Sequence, residues 1–560
     1  MPLFKWFGER GPPFDFSGMP EKSFCAAKAA FCRKAGGNKM NWMKKAVASV
    51  LAAGMLAGFL PAVSFAETTH NIEQEGVSLD AGDCTGGCQG HVVTGTCDAT
   101  MAWNRHKIDI DGGTHTIILR GCSIMTPGAG GAVHTASSAL DVHNGANVTL
   151  VLEGENELHG DTNHPAIWVE PGSTLTIEGT GALNAYAGSG TLSTGSAAIG
   201  SSYGANTNFG DIVIHSGTVY AEGSGGGAGI GGGYQLGTGS TSGNITITGG
   251  WVRAFGGKAG ASSGAGIGSG ENADYTGTVT ISGGVVYAVG GDDDSLSIGA
   301  GGRGVGSSGS GTFTTGTDGN AVIVAPQGIG HVAGYADWDG IFVSYDGQQG
   351  TATVGADGVV HLNDSTANIQ VWGQPVLNYD LAVGAGTTLR VIKNDRNSAP
   401  ATLTVSAGHT LENHGEVRVD EGSKVVLEEG AGALNNAGTL WLDSGVIELW
   451  GGPAQAQGQG SVLGTGQVRI PLTAGMVQDI PNQTYTGSEI RPDVAVAPQT
   501  MWNYTANYAN PADYTVTGYE NNINVGTAAV GLAPAAGGKL LNKGEVKKTF
   551  ENVVEPFSIN

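Results

Sequence analysis

The sequence predicts an all-β protein: a right-handed parallel β-helix (a solenoid) followed by a small Ig-like β-sandwich. Three observations lead to this fold class. The 560-residue chain contains 98 Gly, and clusters of Gly alternate with short runs rich in Val, Ile and Thr. A unit of 33 to 34 residues recurs in the middle of the chain. Near the C-terminus the Gly clusters thin out and Tyr, Asn and Pro become more frequent.

The repeat is clearest in three aligned segments, 211–221, 244–254 and 278–288. Gly217 and Gly250 are 33 residues apart, and the next equivalent glycine follows after 34. Within each segment apolar and polar residues alternate, which is typical of a strand with one buried face. One such unit cannot bury its apolar face alone, so successive units are expected to stack as coils.

Equivalent positions in stacked coils should form ladders of side chains that point into the core. Two inward ladders are expected: Ile212, Ile245 and Val279, and Val219, Val252 and Val286. The general handedness of parallel crossovers predicts a right-handed coil.

The pattern changes along the chain and divides it into five regions after the leader. A cap with the first coils spans 67–130, the Gly-rich β-helix 131–320, an irregular β region 321–376, shorter coils 377–472, and the sandwich 477–560. In the shorter coils Leu411 and Leu434 begin units 23 residues apart. Asn413 and Asn436 hold equivalent positions there, and we expect them to stack inside as an Asn ladder.

The beginning of the chain carries an export signal at residues 40–66. A positive segment at Met43 is followed by the apolar run Ala46–Leu60, and small residues stand at Ser64 and Ala66 before the expected cleavage point. We interpret residues 1–39 as a leader extension or a mis-assigned start. The predicted location is therefore secreted or extracellular, with attachment to the cell surface as an option, and no membrane insertion after cleavage.

The net charge excludes nucleic acid as a partner. Residues 1–66 hold nine of the 26 Lys and Arg and three of the 49 Asp and Glu, which leaves 17 positive and 46 negative side chains, a charge of −29. Nucleic acids and anionic membranes require clustered positive charge. The surface suits a neutral glycan, or an anionic one bridged by a divalent cation.

Four cysteines follow the signal peptide, and we expect disulfides between them because the chain is exported. They are Cys84, Cys88, Cys97 and Cys122. A metal site is the alternative, but the spacing lacks the paired C-x-x-C of zinc sites. The pairing stays open among three possibilities.

The run Asn147–Leu158 and the later units Ala228–Gly231 and Ile245–Val252 resemble the carbohydrate-binding-domain β-helix proteins of bacteria. These are similar to non-catalytic relatives of solenoids with the pectin lyase-like fold. The resemblance covers about residues 105–320. It implies a glycan partner, and some members of the group bind plant polysaccharides with calcium.

The C-terminal part resembles the Ig-like repeats that are appended to many bacterial surface proteins. Four blocks recur in the same order: Ile480–Pro492, Asp513–Val516, Tyr519–Thr527 and Lys547–Phe550. The resemblance implies a spacer module.

A candidate binding surface follows from the alignment of the repeats. Asn184, Tyr220, Arg253 and Tyr287 should form one outward ladder, with Trp251 on the same face. Aromatic rings stack on the apolar faces of sugars, and neighbouring strands repeat such platforms about every 4.8 Å. The alternative is that Tyr simply suits exposed strand positions.

Calcium is a possible cofactor, and the sequence offers one candidate position for it. Asp292, Asp293 and Asp294 follow a repeat strand at a coil corner, where several carboxylates could bind the ion. The alternative is a solvated turn. A lyase would need an unpaired basic residue beside such a metal, yet Lys and Arg between residues 123 and 320 are limited to Arg253, Lys258 and Arg303.

The sequence therefore predicts a non-catalytic, adhesin-like protein that binds a polysaccharide or a host or bacterial surface glycan. Two alternatives stay open. One is a structural stalk or matrix protein, and the other is a β-helix lyase or hydrolase that acts on uronate-rich glycans.

Overall fold

The computed structural model describes residues 68–80, 90–97, 107–125, 137–190, 194–302, 311–316, 319–330, 338–344, 351–393 and 399–554, all in one compact unit, Ala66–Asn560. The predicted leader and signal peptide lie outside these residues. Two short 3-10 helices, Pro453–Gln455 and Ala474–Met476, interrupt an otherwise all-β structure. No helix in the described ranges is long and apolar enough to cross a membrane.

Twenty-eight described strands precede residue 345 and make up what we call the first solenoid. They are β1 (Thr68–Asn71), β2 (Val77–Asp80), β3 (His91–Cys97), β4 (Ile108–Asp111), β5 (Thr114–Met125), β6 (Leu140–His143), β7 (Asn147–Glu153), β8 (Glu155–His159), β9 (Ile167–Val169), β10 (Thr174–Gly179), β11 (Ala182–Tyr186), β12 (Ile199–Gly200), β13 (Asp211–Ile214), β14 (Thr218–Glu222), β15 (Ile230–Gly231), β16 (Gly239–Thr241), β17 (Ile245–Ile247), β18 (Trp251–Phe255), β19 (Lys258–Ala259), β20 (Ser262–Ser263), β21 (Ile267–Gly268), β22 (Ala273–Tyr275), β23 (Thr278–Ile281), β24 (Val285–Val289), β25 (Ile298–Gly299), β26 (Thr312–Thr314), β27 (Val322–Ala325) and β28 (Gly340–Ser344).

The first solenoid is built from three parallel ladders. One is the eight-stranded sheet β2-β4-β6-β9-β12-β15-β21-β25. The other two belong to one large sheet and run β7-β10-β13-β17-β23-β26 and β8-β11-β14-β18-β24-β27. The long strand β5 spans both of them, since it pairs with β7 and with β8. Each coil thus contributes one strand to each ladder, an arrangement consistent with a β-helix or solenoid.

Both predicted inward ladders are confirmed. Ile212 pairs with Ile245, which pairs with Val279, and all three side chains are buried. The strand register also aligns the second set, Val219, Val252 and Val286, and these are fully buried. Fully burying one such side chain stabilises the fold by about 1.5–3 kcal/mol.

The strands from β29 to β44 form what we call the second solenoid. They are β29 (Ala352–Val354), β30 (Val360–Leu362), β31 (Asn368–Trp372), β32 (Val376–Leu377), β33 (Leu381–Val383), β34 (Thr388–Val391), β35 (Thr402–Val405), β36 (Leu411–Asn413), β37 (Glu416–Asp420), β38 (Lys424–Leu427), β39 (Leu434–Asn436), β40 (Thr439–Asp443), β41 (Val446–Leu449), β42 (Ala456–Gln457), β43 (Ser461–Gly464) and β44 (Gln467–Pro471).

The strand direction reverses between the two solenoids, within the region predicted to be irregular. Strand β28 pairs in parallel with β27 on one edge and antiparallel with β31 on the other. After β31 the ladder β31-β34-β37-β40-β43 is parallel again. One continuous sheet therefore runs through both solenoids, with one antiparallel seam.

The hydrophobic cores of the two solenoids lie on opposite faces of this sheet. In β27, Ile323 belongs to the first core, whereas its neighbours Val322 and Val324 belong to the second. In β28, Phe342 lies in the first core and Ile341 in the second. Strands β24, β27 and β28 are thus covered on both faces, which explains why they read as nearly continuous apolar runs.

The predicted Asn ladder is present in the second solenoid. Asn413 Nδ2 donates to Asn436 Oδ1 at 2.8 Å and to the Thr439 carbonyl at 2.9 Å, and Asn436 Nδ2 donates to the Ser461 carbonyl at 3.2 Å. Both side chains are fully buried. The ladder therefore links successive coils through hydrogen bonds inside the core.

The described part of the C-terminal region, up to residue 554, contains seven strands. They are β45 (Gln483–Thr484), β46 (Gln499–Met501), β47 (Tyr504–Ala506), β48 (Tyr514–Glu520), β49 (Gly526–Pro534), β50 (Leu540–Leu541) and β51 (Val546–Val553). Four make the sheet β45-β51-β49-β48 and two make the hairpin β46-β47, whereas β50 extends the second solenoid by pairing with β44. The structure does not confirm an Ig-like domain.

The C-terminal region caps the end of the second solenoid. Trp502 Nε1 donates to the Leu434 carbonyl at 3.1 Å, and the buried hydroxyl of Tyr508 donates to the Val468 carbonyl at 2.9 Å. Apolar side chains of both regions belong to one hydrophobic core. This part of the chain is therefore packed onto the solenoid.

The predicted disulfides are not found in the described part of the chain, where Cys97 and Cys122 are both buried thiols. The strand register pairs Cys97 with Ile124, and it pairs Cys122 with Gly95. Such diagonal neighbours lie roughly 7–8 Å apart, whereas a disulfide joins Cα atoms about 4.4–6.8 Å apart. Cys84 and Cys88 lie outside the described residues.

The Cys122 thiol should resist alkylation in the native protein. Burial, together with the neighbouring Cys97, raises the pKa of the Cys122 thiol to about 12, so very little thiolate is present at pH 8. We expect native Cys122 to react with iodoacetamide at least about 100-fold more slowly than the unfolded chain, measured by mass spectrometry. Equal rates, or a disulfide at Cys122, would contradict the described environment.

The Asn ladder can be tested with Asn436→Ala. The substitution removes the acceptor of Asn413 Nδ2 and the donor to Ser461, so it should lower the free energy of unfolding by about 1–3 kcal/mol. The matched control is Asn435→Ala, a half-buried residue on the opposite face of β39, for which a change within about 0.5 kcal/mol is expected. Urea denaturation followed by circular dichroism measures both, and equal losses would refute the ladder's role.

Candidate functional site

The predicted binding residues lie on the outer face of the ladder β8-β11-β14-β18-β24. The strand register pairs Asn184 with Tyr220, Tyr220 with Arg253, and Arg253 with Tyr287. The alternating residues Leu183 and Val219 are fully buried in the core, so the paired row points outward. The structure thus brings four of the five predicted residues into one row.

Tyr287 holds the expected register position but is only 7% exposed. It lies on β24, one of the strands covered on both faces, and its ring is part of the second core. Its position leaves the ring largely covered, so the exposed part of the row ends near Arg253.

A strip of aromatic rings crosses this face, and the repeat alignment identified only part of it. The ring centroids of His159 and Tyr186 lie 4.7 Å apart, and those of Tyr186 and Tyr220 lie 5.5 Å apart. Phe255 follows at 5.2 Å from Tyr220, and Tyr287 at 5.6 Å from Phe255. We call these five residues the aromatic strip.

The missed members share one position in the repeat. The strand register pairs His159 with Tyr186, Tyr186 with Glu222, and Glu222 with Phe255. The three missed rings therefore share the outward position two residues after the predicted row. Extending the alignment of the repeats by two residues would have shown them.

Trp251 and Arg253 lie beside the strip and contact each other. The Arg253 guanidinium carbon is 4.6 Å from the centroid of the Trp251 ring and 5.2 Å from that of Tyr220. Both distances lie within the range of about 6 Å over which cation–π attraction acts. Neither Arg253 Nε nor Trp251 Nε1 has an acceptor among the described residues, although both atoms are buried.

The Tyr220 hydroxyl is held in place by a carboxylate. It donates to Glu222 Oε2 at 2.7 Å. Burial, the hydrogen bond to Glu222 and the negative charge of Glu222 together raise the pKa of Tyr220. The hydroxyl therefore stays protonated at neutral pH, and the ring is oriented by a fixed partner.

A cleft of about 600 Å³ adjoins the strip at Trp251. One wall is the corner between β17 and β18 with the equivalent corners of neighbouring coils, including Thr218 and Thr248. The opposite wall comes from the second solenoid and includes Ala356 and Tyr379. We call this space the corner cleft.

Glycines keep the floor of the corner cleft free of side chains. Gly217, Gly250 and Gly284 all have positive φ, between 81° and 89°. A Cβ on Gly250 would lie 2.6 Å from the Gly217 carbonyl oxygen, and one on Gly284 would lie 2.5 Å from the Gly250 carbonyl oxygen. The close stacking of the coils thus requires glycine here, and bare backbone lines the cleft.

The Asp292–Asp294 triplet forms a turn that is held by its own hydrogen bonds. Asp292 Oδ1 accepts from the Ser263 hydroxyl and from the Asp294 backbone N–H. Asp293 and Asp294 are exposed. In the described part of the chain, no group of three or more His, Cys, Asp or Glu side chains is arranged to hold a metal ion.

Comparisons of the chain with known protein families, with curated proteins and with solved structures found no match.

The glycine floor can be tested with Gly250→Ala. The substitution places a side chain in the left-handed region, at a cost of about 1–2 kcal/mol, and crowds the Gly217 carbonyl, so a loss in unfolding free energy above about 1 kcal/mol is expected. The control is Gly518→Ala, where a Cβ meets nothing within 4 Å and φ is not positive. Thermal and urea denaturation measure both variants, and an unchanged Gly250→Ala protein would refute the requirement.

Proposed function

We propose that this chain is a secreted or surface-attached, non-catalytic protein that binds a polysaccharide or a surface glycan. The observation that supports this proposal most strongly is the aromatic strip with Trp251 and Arg253 beside it. Rings on successive strands offer a row of apolar faces on which sugar rings can stack. The flanking hydroxyl, amide and guanidinium groups supply hydrogen bonds to sugar hydroxyls.

The charges around the strip favour binding over catalysis. The carboxylate of Glu222 accepts a hydrogen bond from Tyr220, and that of Glu157 lies 2.7 Å from His159 Nε2. Carboxylates engaged in this way serve to orient rings. The predicted charge of −29 after removal of the signal peptide adds support for a glycan partner over nucleic acid.

The same proposal includes four further features of the chain. They are kinship with the carbohydrate-binding-domain β-helix proteins, a right-handed coil, an Ig-like spacer at the C-terminus, and export through the signal peptide. Calcium at Asp292–Asp294 is an optional cofactor in this proposal.

One observation favours a structural stalk as the second candidate. A single sheet continues through both solenoids, and the C-terminal region closes its far end, which would suit a rigid spacer. A stalk would require no ligand on the strip, so a binding measurement separates the two functions.

The proposal is tested by affinity electrophoresis against a panel of polysaccharides, with calcium and with a chelator. Tyr220→Ala and Trp251→Ala should each weaken retention about tenfold, because each loses a stacking platform worth roughly 0.5–1.5 kcal/mol beyond its buried area. The matched control is Trp441→Ala, an aromatic residue 37% exposed on the second solenoid, which should bind as the wild type does.

Three results would count against the proposal. Absence of retention on every polysaccharide would favour the stalk. Equal weakening by Trp441→Ala would mean that the strip is not the site. Release of reducing or unsaturated sugar from uronate-rich polysaccharides would make the protein a lyase or hydrolase.

A further inference from the structure

We infer that the corner cleft is a subsite for the end, or for a side branch, of a neutral saccharide. This inference rests on the proposed function and adds the chemical class of the ligand and the part of it that is recognised. The lining of the cleft, its size and its position at the end of the exposed strip support it.

Among the described residues, the lining of the corner cleft contains no charged side chain. The residues are Gly, Thr, Asn, Val and Ala together with one Trp and one Tyr. The chain as a whole carries 49 acidic side chains, so an uncharged lining is a local departure from the surrounding surface. A carboxylate or sulfate on a ligand would have no cation to pair with in the cleft. A charged group would therefore lose its water without gaining a counter-ion, whereas a neutral ligand avoids this desolvation cost.

Hydroxyl and amide groups recur along the walls. Thr180, Thr218 and Thr248 line the cleft from three successive coils, and Asn378 faces them from the second solenoid. Thr180, Thr248 and Asn378 are exposed. Groups that both donate and accept hydrogen bonds match the hydroxyls of a sugar. The bare glycine backbone allows a ligand to approach the corner closely.

The volume suits a short part of a saccharide. About 600 Å³ lies within the range of roughly 300–1,000 Å³ that small-molecule sites occupy. Trp251 lines the cleft and also contacts Arg253 beside the aromatic strip. A single ligand can therefore lie on the strip and enter the cleft.

The second solenoid ends the exposed path along the strip. Val285, which pairs with Trp251 on the next strand, lines the cleft and is 1% exposed, and Tyr287 on the same strand is covered as well. Ala356, in the turn after β29, stands on the opposite wall. A chain that follows the strip meets this wall and cannot continue, so the cleft receives an end or a branch.

The test fills the cleft without altering the strip. Ala356→Trp places a large side chain at an exposed turn on the cleft wall, and Ala407→Trp, at an exposed turn of the second solenoid, is the matched control. Titration calorimetry with neutral hexasaccharides of the β-glucan, xylan and mannan types, and with an oligogalacturonate, gives the affinities. We expect at least one neutral hexasaccharide to bind, with Kd raised at least tenfold in Ala356→Trp and unchanged in Ala407→Trp.

A second measurement addresses chain ends. Equal masses of an unbranched neutral polysaccharide that is retained, intact and partly hydrolysed, are titrated with wild-type protein. Because such a chain offers ends but no side branches, the number of binding sites per mass should rise with the number of ends. Binding that stays constant per mass, unchanged affinity in Ala356→Trp, or a preference for the oligogalacturonate would overturn the inference. In each of those cases sensitivity to Tyr220→Ala would leave the proposed function standing, whereas a wild-type protein that binds no saccharide would overturn both.

Discussion

The whole structure depends on three strands that are buried on both faces. Val285, Val322 and Ile341 project into the second core, while their neighbours on the same strands project into the first. In most other strands of the solenoids buried and partly exposed residues alternate, so apolar residues are needed only at alternate positions. At β24, β27 and β28 both sets of positions must be apolar, which joins two coiled structures of opposite strand direction into one sheet.

This joint also shapes the candidate site. The outward row is partly exposed at Tyr220 and Arg253 on the earlier coils, but the same row becomes core at Tyr287. The second solenoid therefore decides where the exposed strip stops, and its first turns provide the opposite wall of the corner cleft. The repeats of the first solenoid supply the binding groups, and the second solenoid limits how far the exposed surface extends.

The repeats were predictable because identical spacing forces identical placement. Once Gly217 and Gly250 were aligned, the inward Val219 and Val252 and the outward Tyr220 and Arg253 followed from strand alternation alone. The reversal at β28 and β31 was not predictable in this way, because it follows no repeat. Its strands also have apolar residues at adjacent positions, so alternation does not show which side chains face the core. The burial of Tyr287 was missed for the same reason. The absence of a disulfide between Cys97 and Cys122 depends on a two-residue offset that spacing along the chain does not reveal.

The double-sided strands have a consequence for how the molecule melts. Loss of either core would leave β27 with Ile323 on one side, or Val322 and Val324 on the other, facing water. Neither solenoid can then stay folded alone without exposing apolar residues of the shared strands. The described chain should therefore unfold as one cooperative unit on heating. A truncation placed between the two solenoids would expose an apolar sheet face with an open edge, the kind of surface that drives aggregation.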